Sequence, residues 1–536
     1  MHFYIRRDSS DDGLGNQLPD VPTKLLARHG ARVLRPSDPL YSVTGPPPAT
    51  AYRTDVLRVP QSVDRSALEQ TLADVNLKLA EPRADASRPP VVRLERLDAD
   101  KPATVDAWYA LWHLRRTAAD APEGRLASAV NKPDPVTLEH LMFIGLDPVP
   151  WDSHALNPTP WDSHSLGPVP WDSHGLFGIN GYLRSARGGP VPVSLSMRPP
   201  NPRALVSGSG FDRRPVIAVL DTGIAEHEWF GTTDREVPTG GYLRVLKEVQ
   251  DAITASSRAA GTGARVIEDY WEEIVPDNPL TGEFNRHAGH GTFIAGIFRQ
   301  VAPDAELAVA RVMAGDGVAY ESDLIAALER LVHQVEDAQA DGGNPADMID
   351  ILSISIGYYI ETLEDEAETA EFTALLNRLT DLGVLVVAAA GNDATTRQFY
   401  PAALATVPSD GGGQPVLSVG ALNPNGTKAF FSNQAPWVHA WASGASVVST
   451  FPKLRGSMGP TNVIRELDRE SMDPDDFTSG FAMWHGTSFA GPHAAASLAN
   501  KLIEQADADP QLRMGLVSQE AMRERARRAV EACTTP

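Results

Sequence analysis

Three short stretches carry side chains that could do chemistry together. They are Val-Leu-Asp-Thr-Gly-Ile around Asp221, Gly-His-Gly-Thr-Phe-Ile-Ala-Gly-Ile around His290, and His-Gly-Thr-Ser-Phe-Ala-Gly-Pro-His around Ser488. A serine hydroxyl is a poor nucleophile at neutral pH. It needs an imidazole to take its proton, and the imidazole needs a carboxylate to fix its tautomer and stabilise its charged form. Asp221, His290 and Ser488, each set among small residues, are the components of such a relay. Each has a plainer reading. Asp221 alone could be a turn residue at a strand end. His287 is a competing imidazole three residues from His290, read as a loop residue.

The elements around these residues say where they would meet. Pro-Val-Ile-Ala-Val-Leu, just before Asp221, is a continuous apolar run of the kind found in a buried parallel strand. Similar runs follow at 305–313, 348–357, 383–391 and 415–422, separated by helical stretches such as 321–338 and 366–383. Strands alternating with helices predict an α/β domain, a doubly wound and mostly parallel sheet with helices on both faces. Active sites in such sheets collect at the carboxyl ends of the strands. His290 is expected to start a helix whose small residues Gly291, Ala295 and Gly296 allow close packing, and Ser488 to enter an Ala-rich helix.

The three motifs Asp221-Thr222-Gly223, His290 to Gly296 and Gly486 to Pro492 occur in an order that resembles the subtilisin-like serine proteases. The resemblance runs from about Pro215 to Asp507. It implies serine endopeptidase activity, with peptide or protein substrates and no cofactor. It implies further that Asn392, in Ala-Ala-Gly-Asn, supplies an oxyanion donor beside the Ser488 N–H. By the same resemblance Ser355, Ile356 and Gly357 form a substrate strand. With Ala388, Ala389, Ala390 and Gly391 they frame the pocket for the residue before the scissile bond. The stretch with Met313 and Gly315 is the expected opposite wall, where substrate backbone would pair as an added strand. Where many secreted relatives have a second histidine, this chain has Phe293. The Asn-rich calcium loop of compact secreted subtilisins is missing after the His290 helix, so no metal site is predicted. The acidic run after Tyr359 reads as a solvated helix face or as a preference for basic substrate residues.

Composition narrows the rest. A net charge of -22 over 536 residues argues against nucleic-acid partners, which need a basic face. One cysteine, Cys533, leaves no intramolecular disulfide. There is no secretory signal pattern and no apolar run long enough to span a membrane, which predicts a cytoplasmic protein. The length implies several domains. The expected divisions are a mobile N-terminus (1–26), a small α+β unit (27–144), a Pro-rich linker (145–214), the catalytic domain (215–508), and a C-terminal helix and tail (509–536), the helix exposed.

The linker holds a decapeptide repeated three times, with Pro-Trp-Asp-Ser-His at Pro150, Pro160 and Pro170. Its prolines favour extended backbone. Three readings stay open: a semi-rigid spacer, a recognition or self-cleavage segment, and a metal site built from Asp152, His154 and their copies. In the subtilisin-like family an N-terminal prodomain often blocks the cleft before removal, so the chain's own N-terminal region or linker is an expected occupant of its cleft. The rival to a protease is a latent scaffold with a protease-shaped body, released by a partner.

Overall fold

The computed structural model describes residues 3–5, 21–34, 50–60, 62–80, 91–122, 124–130, 135–144, 189–259, 265–272, 274, 276–278, 283–360, 370–406, 411–455, 465–470, 473 and 476–534. The three repeats and the acidic run after Ile360 lie outside them.

The N-terminal part contains β1 (Phe3–Ile5), α1 (Thr23–Arg28), β2 (Ala31–Leu34), β3 (Thr50–Arg58), α2 (Arg65–Ala73), β4 (Leu77–Leu79), β5 (Val91–Arg96), α3 (Ala107–Asp120), α4 (Arg125–Val130) and β6 (Thr137–Phe143). Strands β2 to β6 form an antiparallel sheet, and α3, with its N-terminus capped by Asp106, buries Trp108, Leu111 and Leu114 in the unit's core. The apolar residues Leu68, Leu72, Leu77 and Leu79 belong to two elements. Asn76 at φ 58° turns the chain out of α2, and Leu77 and Leu79 enter the core from a strand.

The remainder contains β7 (Val191–Pro192), β8 (Val216–Asp221), β9 (Leu243–Val245), α5 (Lys247–Ala259), the hairpin β10 (Pro276–Asn278) and β11 (Glu283–Phe284), α6 (His290–Val301), β12 (Glu306–Arg311), β13 (Val318–Tyr320), α7 (Glu321–Gln339) and β14 (Ile351–Ile354). It continues through α8 (Ala370–Asp381), β15 (Leu385–Ala389), β16 (Leu417–Leu422), β17 (Ala440–Ser443), β18 (Val447–Thr450), the hairpin β19 (Arg465–Glu466) and β20 (Arg469–Glu470), β21 (Phe481–Trp484), α9 (Thr487–Ala508) and α10 (Gln519–Cys533). One sheet runs in the order β1-β17-β16-β15-β14-β8-β12-β9, parallel throughout except where β1 pairs antiparallel with β17. Apolar clusters cover both faces, one around α5, α7 and α8 and the other around α6 and α9. This is the doubly wound α/β fold that the alternating pattern predicts.

Three expectations change here. Residues 1–26 were expected to be mobile, yet Phe3–Ile5 pairs in register with Ala440–Ala442, and Val21 is buried. Three residues are too few to show an alternating pattern, and their partner lies at the far end of the chain. The C-terminal helix was expected to be exposed, yet α10 buries Met522, Arg525, Ala526 and Ala529, its wide arginine-rich face concealing a narrow packing stripe. The described end of the expected linker lies along the second part of the chain, with Val191 and Pro192 opposite Met483 and Ala482, and Arg203 paired with Asp507.

Candidate active site

The large sheet brings three separate chain segments together at the carboxyl ends of neighbouring strands. Asp221 ends β8, Ser355 follows β14, and Gly391 and Asn392 follow β15. His290 begins α6 and Ser488 lies in the first turn of α9. Glycine is required where two segments touch. Gly223 sits at φ 99°, and a side chain on Gly291 would come within 2.2 Å of the Gly223 carbonyl. That contact holds the His290 helix against the turn after Asp221.

His290 Nδ1 lies 2.8 Å from Asp221 Oδ1, and both residues are buried. The Thr222 N–H also donates to Asp221 Oδ1 at 2.7 Å. His290 Nε2 is buried with no hydrogen-bond partner among the described residues. Ser488 Oγ donates instead to the Ser355 carbonyl at 3.4 Å, a weak bond that leaves the hydroxyl free to turn. Catalytic bonds of this kind often tighten only once substrate is bound. Asn392 Oδ1 accepts from the Thr487 N–H and hydroxyl, each at 2.8 Å. With its oxygen fixed this way, the amide presents its nitrogen, the donor an oxyanion needs. His287 stacks on Trp484 with a ring separation of 6.4 Å, and its Nδ1 faces the Asp316 carbonyl.

Sequence reasoning missed Glu272, which lies in the long interval between Asp221 and His290. The segment containing it pairs with the strand end, Ile224 N to Tyr270 O at 3.1 Å and Glu272 N to Ile224 O at 3.0 Å. Glu272 Oε1 accepts from the Thr222 hydroxyl (2.8 Å) and the Gly289 N–H (2.6 Å). Its Oε2 accepts from the Thr292 hydroxyl at 3.1 Å. Thr222 in turn accepts from the Gly291 N–H at 2.9 Å. One carboxyl therefore ties the residue after Asp221 to the residues on both sides of His290. Burial, only partly offset by these three donors, pushes the Glu272 carboxyl up to about 8.

Ser355 to Gly357 follow β14, Ala388 to Gly391 end and follow the neighbouring β15, and Gly357 pairs with Phe143 along one edge of the groove that holds β6. Met313 and Gly315 do not line the opposite edge. Met313 is fully buried, with its N–H near the Asp221 carbonyl, and Gly315 accepts from the His287 N–H. The opposite edge is Gly317 to Tyr320, a shift that only the partner strand reveals. That partner is β6. Its Val318–Tyr320 pairing continues into a two-way hydrogen bond between Phe143 and Gly357, at 2.7 and 2.9 Å, and Ile144 N donates to Gly317 O at 3.1 Å. β6 thus lies as an extended strand between Val318–Tyr320 on one side and Gly357 on the other.

Buried charges fasten that unit. Arg58 pairs with Glu321 at 2.9 Å and with Glu371, and His140 Nδ1 lies 2.8 Å from Glu321. Glu139 accepts from the Ser322 N–H and hydroxyl at the start of α7. Against the cost of burial, Arg58 and His140 hold the Glu321 carboxyl down at about 2.

Chain comparisons agree with this assembly. The family model described as Subtilase family matches residues 212–529, more than half of the chain. The chain belongs to the subtilase family. Subtilisin BL of Lederbergia lenta is 28% identical over 241 residues, covering 43% of this chain and 68% of that protein. The extracellular basic protease of Dichelobacter nodosus is 27% identical over 297 residues, covering 52% and 41%. Serine protease AprX of Bacillus subtilis (strain 168) is 29% identical over 236 residues, covering 42% and 48%. The chain thus spans about half or less of the length of two of these three relatives. Among solved structures, a cold adapted subtilisin-like serine proteinase aligns with a TM-score of 0.34 at 20% identity, over 61% of this chain and 87% of that one. The protease domain of PatA, as its S218A mutant, aligns with a TM-score of 0.33 at 20% identity, over 58% and 95%. The family match extends into α10, past the expected domain end at 508. Among the described residues this subtilase has no helix long and apolar enough to cross a membrane, and no cluster of three metal-ligating side chains.

Proposed function

We propose that the chain is a serine endopeptidase working through an acyl-enzyme, with its own N-terminal unit as the first occupant of the cleft. His290 takes the Ser488 proton as the hydroxyl attacks a peptide carbonyl, then gives it to the leaving amine. Asp221 fixes the tautomer with Nδ1 protonated and stabilises the imidazolium. The Asn392 amide and the Ser488 N–H hold the oxyanion, and water releases the acyl group. The observation that carries this reading is the buried 2.8 Å contact between Asp221 and His290 Nδ1, which leaves Nε2 unpartnered among the described residues, beside the serine helix. A scaffold has no use for such a pair.

The β6 pairing supports self-processing. A peptide paired as Phe143 is with Gly357 has its second residue onward facing Ser355, whose carbonyl touches the Ser488 hydroxyl. By count that residue is Gly145, at the head of the expected linker and ahead of the repeats. The chain is then latent until the cut and until the N-terminal unit leaves. No feature of this scheme calls for nucleic acid. The test is labelling with a fluorophosphonate beside Ser488→Ala. Labelling of the wild type alone is expected, with a fragment beginning at Leu146 that the variant never forms. Equal labelling of both proteins overturns the mechanism, and intact chain from a labelled wild type overturns the self-processing.

A further inference from the structure

This inference rests on the enzymatic reading above and concerns the residue that reading places before the scissile bond. That reading sets the side chain of this residue between two segments, Ser355–Gly357 and Ala388–Gly391, because the Ser488 hydroxyl donates to the Ser355 carbonyl at 3.4 Å and Asn392 directly follows Gly391. Both walls end in glycine. A wall that ends in glycine ordinarily leaves room there for an apolar group.

Here that room already has an occupant. A side chain added to Gly357 would meet Phe399 Cε1 at 2.6 Å and Cζ at 2.8 Å. One added to Gly391 would meet Phe399 Cδ1 at 3.2 Å. The edge of a single ring therefore spans the gap from one glycine to the other. The ring is held there from several sides. Tyr358 and Tyr400 exchange backbone hydrogen bonds at 2.9 Å, which fixes the chain on both flanks. The Tyr359 ring packs behind at 5.1 Å, and Phe399 is 2% exposed. Moving it aside for a substrate ring would break close packing on all these contacts.

We propose that Phe399 is the specificity-determining residue of this pocket, restricting the position before the scissile bond to glycine and alanine. Substrates are then proteins or peptides cut after small residues in extended segments.

The experiment uses the full chain and succinyl tetrapeptide p-nitroanilides that end in alanine or phenylalanine. Wild type is expected to favour alanine in kcat/KM by about a hundredfold, within the range that pocket size alone provides. Phe399→Ala and Phe399→Leu are expected to raise the phenylalanine-to-alanine ratio by about tenfold or more, Ala more than Leu. Fluorophosphonate labelling of Ser488 in each variant reports that fold and nucleophile survive. A wild type that takes phenylalanine as readily as alanine overturns the proposal. So does a labelled variant whose ratio has not moved. Should neither variant label, the wild-type ratio decides alone. A wild type that has released its N-terminal unit yet neither labels nor cuts any substrate brings down the enzymatic reading itself, a result distinguishable from a labelled enzyme with the wrong preference.

Discussion

Two buried carboxyls at similar depth have opposite fates. Glu321, under the N-terminal unit, is surrounded by Arg58 and His140 and is held ionised, at about 2. Glu272, behind the catalytic pair, meets only neutral donors, two threonine hydroxyls and a backbone N–H, and is pushed up to about 8. Burial acts on both alike, and the partners decide the charge. The difference follows the task. The interface under the N-terminal unit is closed with ion pairs, whose charges solvent would take back on separation. A support beside a catalytic imidazole is built from hydrogen bonds, which set position without adding a fixed charge next to Asp221.

The sharpest way to break this contrast is Arg58→Met. Removing the cation leaves Glu321, Glu371 and Glu139 around an uncharged side chain, and losing one partner of a buried charge pair costs about 3–5 kcal/mol. The N-terminal unit is expected to detach or melt before the rest of the chain, seen as a separate early transition in thermal unfolding. A single unshifted transition counts against the charge-fastened interface. Next in size is Glu272→Ala, expected to lower kcat roughly 10- to 100-fold with KM little changed, since misplacing catalytic groups costs rate rather than binding. Glu272→Gln keeps an acceptor for Thr222 and Gly289 and is expected to recover most of the rate. Equal loss in both variants would mean that charge, not position, is what Glu272 supplies.

Acid separates the two carboxyls further. Because docking lowers the Glu321 pKa, its contribution to docking is fully present above the ordinary glutamate value of about 4.5 and is lost as pH falls toward about 2. Titration downward is expected to free the N-terminal unit in that window, followed by limited proteolysis or small-angle scattering. Glu272 has the reverse sign. Its folded form keeps the proton longer than the unfolded form, so stability declines as pH rises from about 4.5 to about 8 and levels off beyond. The slope is at most about 1.4 kcal/mol per pH unit. In Glu272→Gln that decline should flatten, and an unchanged slope would assign it to another group.

Much of the centre was legible in the sequence because it depends on contiguous motifs. Asp221 ends an apolar strand, His290 and Ser488 begin helices among small residues, and Asn392 follows a buried run. What escaped depends on partners far along the chain. Glu272 stands in an acidic, aromatic stretch whose neighbours look like surface loop, and only the return of that segment to Ile224 makes it internal. The cleft edge at Gly317–Tyr320, in place of Met313 and Gly315, is set by the register of β6, nearly two hundred positions upstream. Phe399 carries no signal of its own. Its role comes from the two glycines it lies between. The N-terminal strand is invisible for a similar reason: three residues become an element only when Ala440–Ala442 supplies their hydrogen bonds.

That strand has a consequence for the chain after cutting. Phe3–Ile5 closes the edge of the large sheet, and Ile5 also bridges to Thr534, so these two distant segments meet on one seam. A nick past Ile144 would sever the covalent link yet leave the front piece stitched to the body at this distant border. Cleavage and departure are then separate events, and a gel would register the first well before the cleft empties.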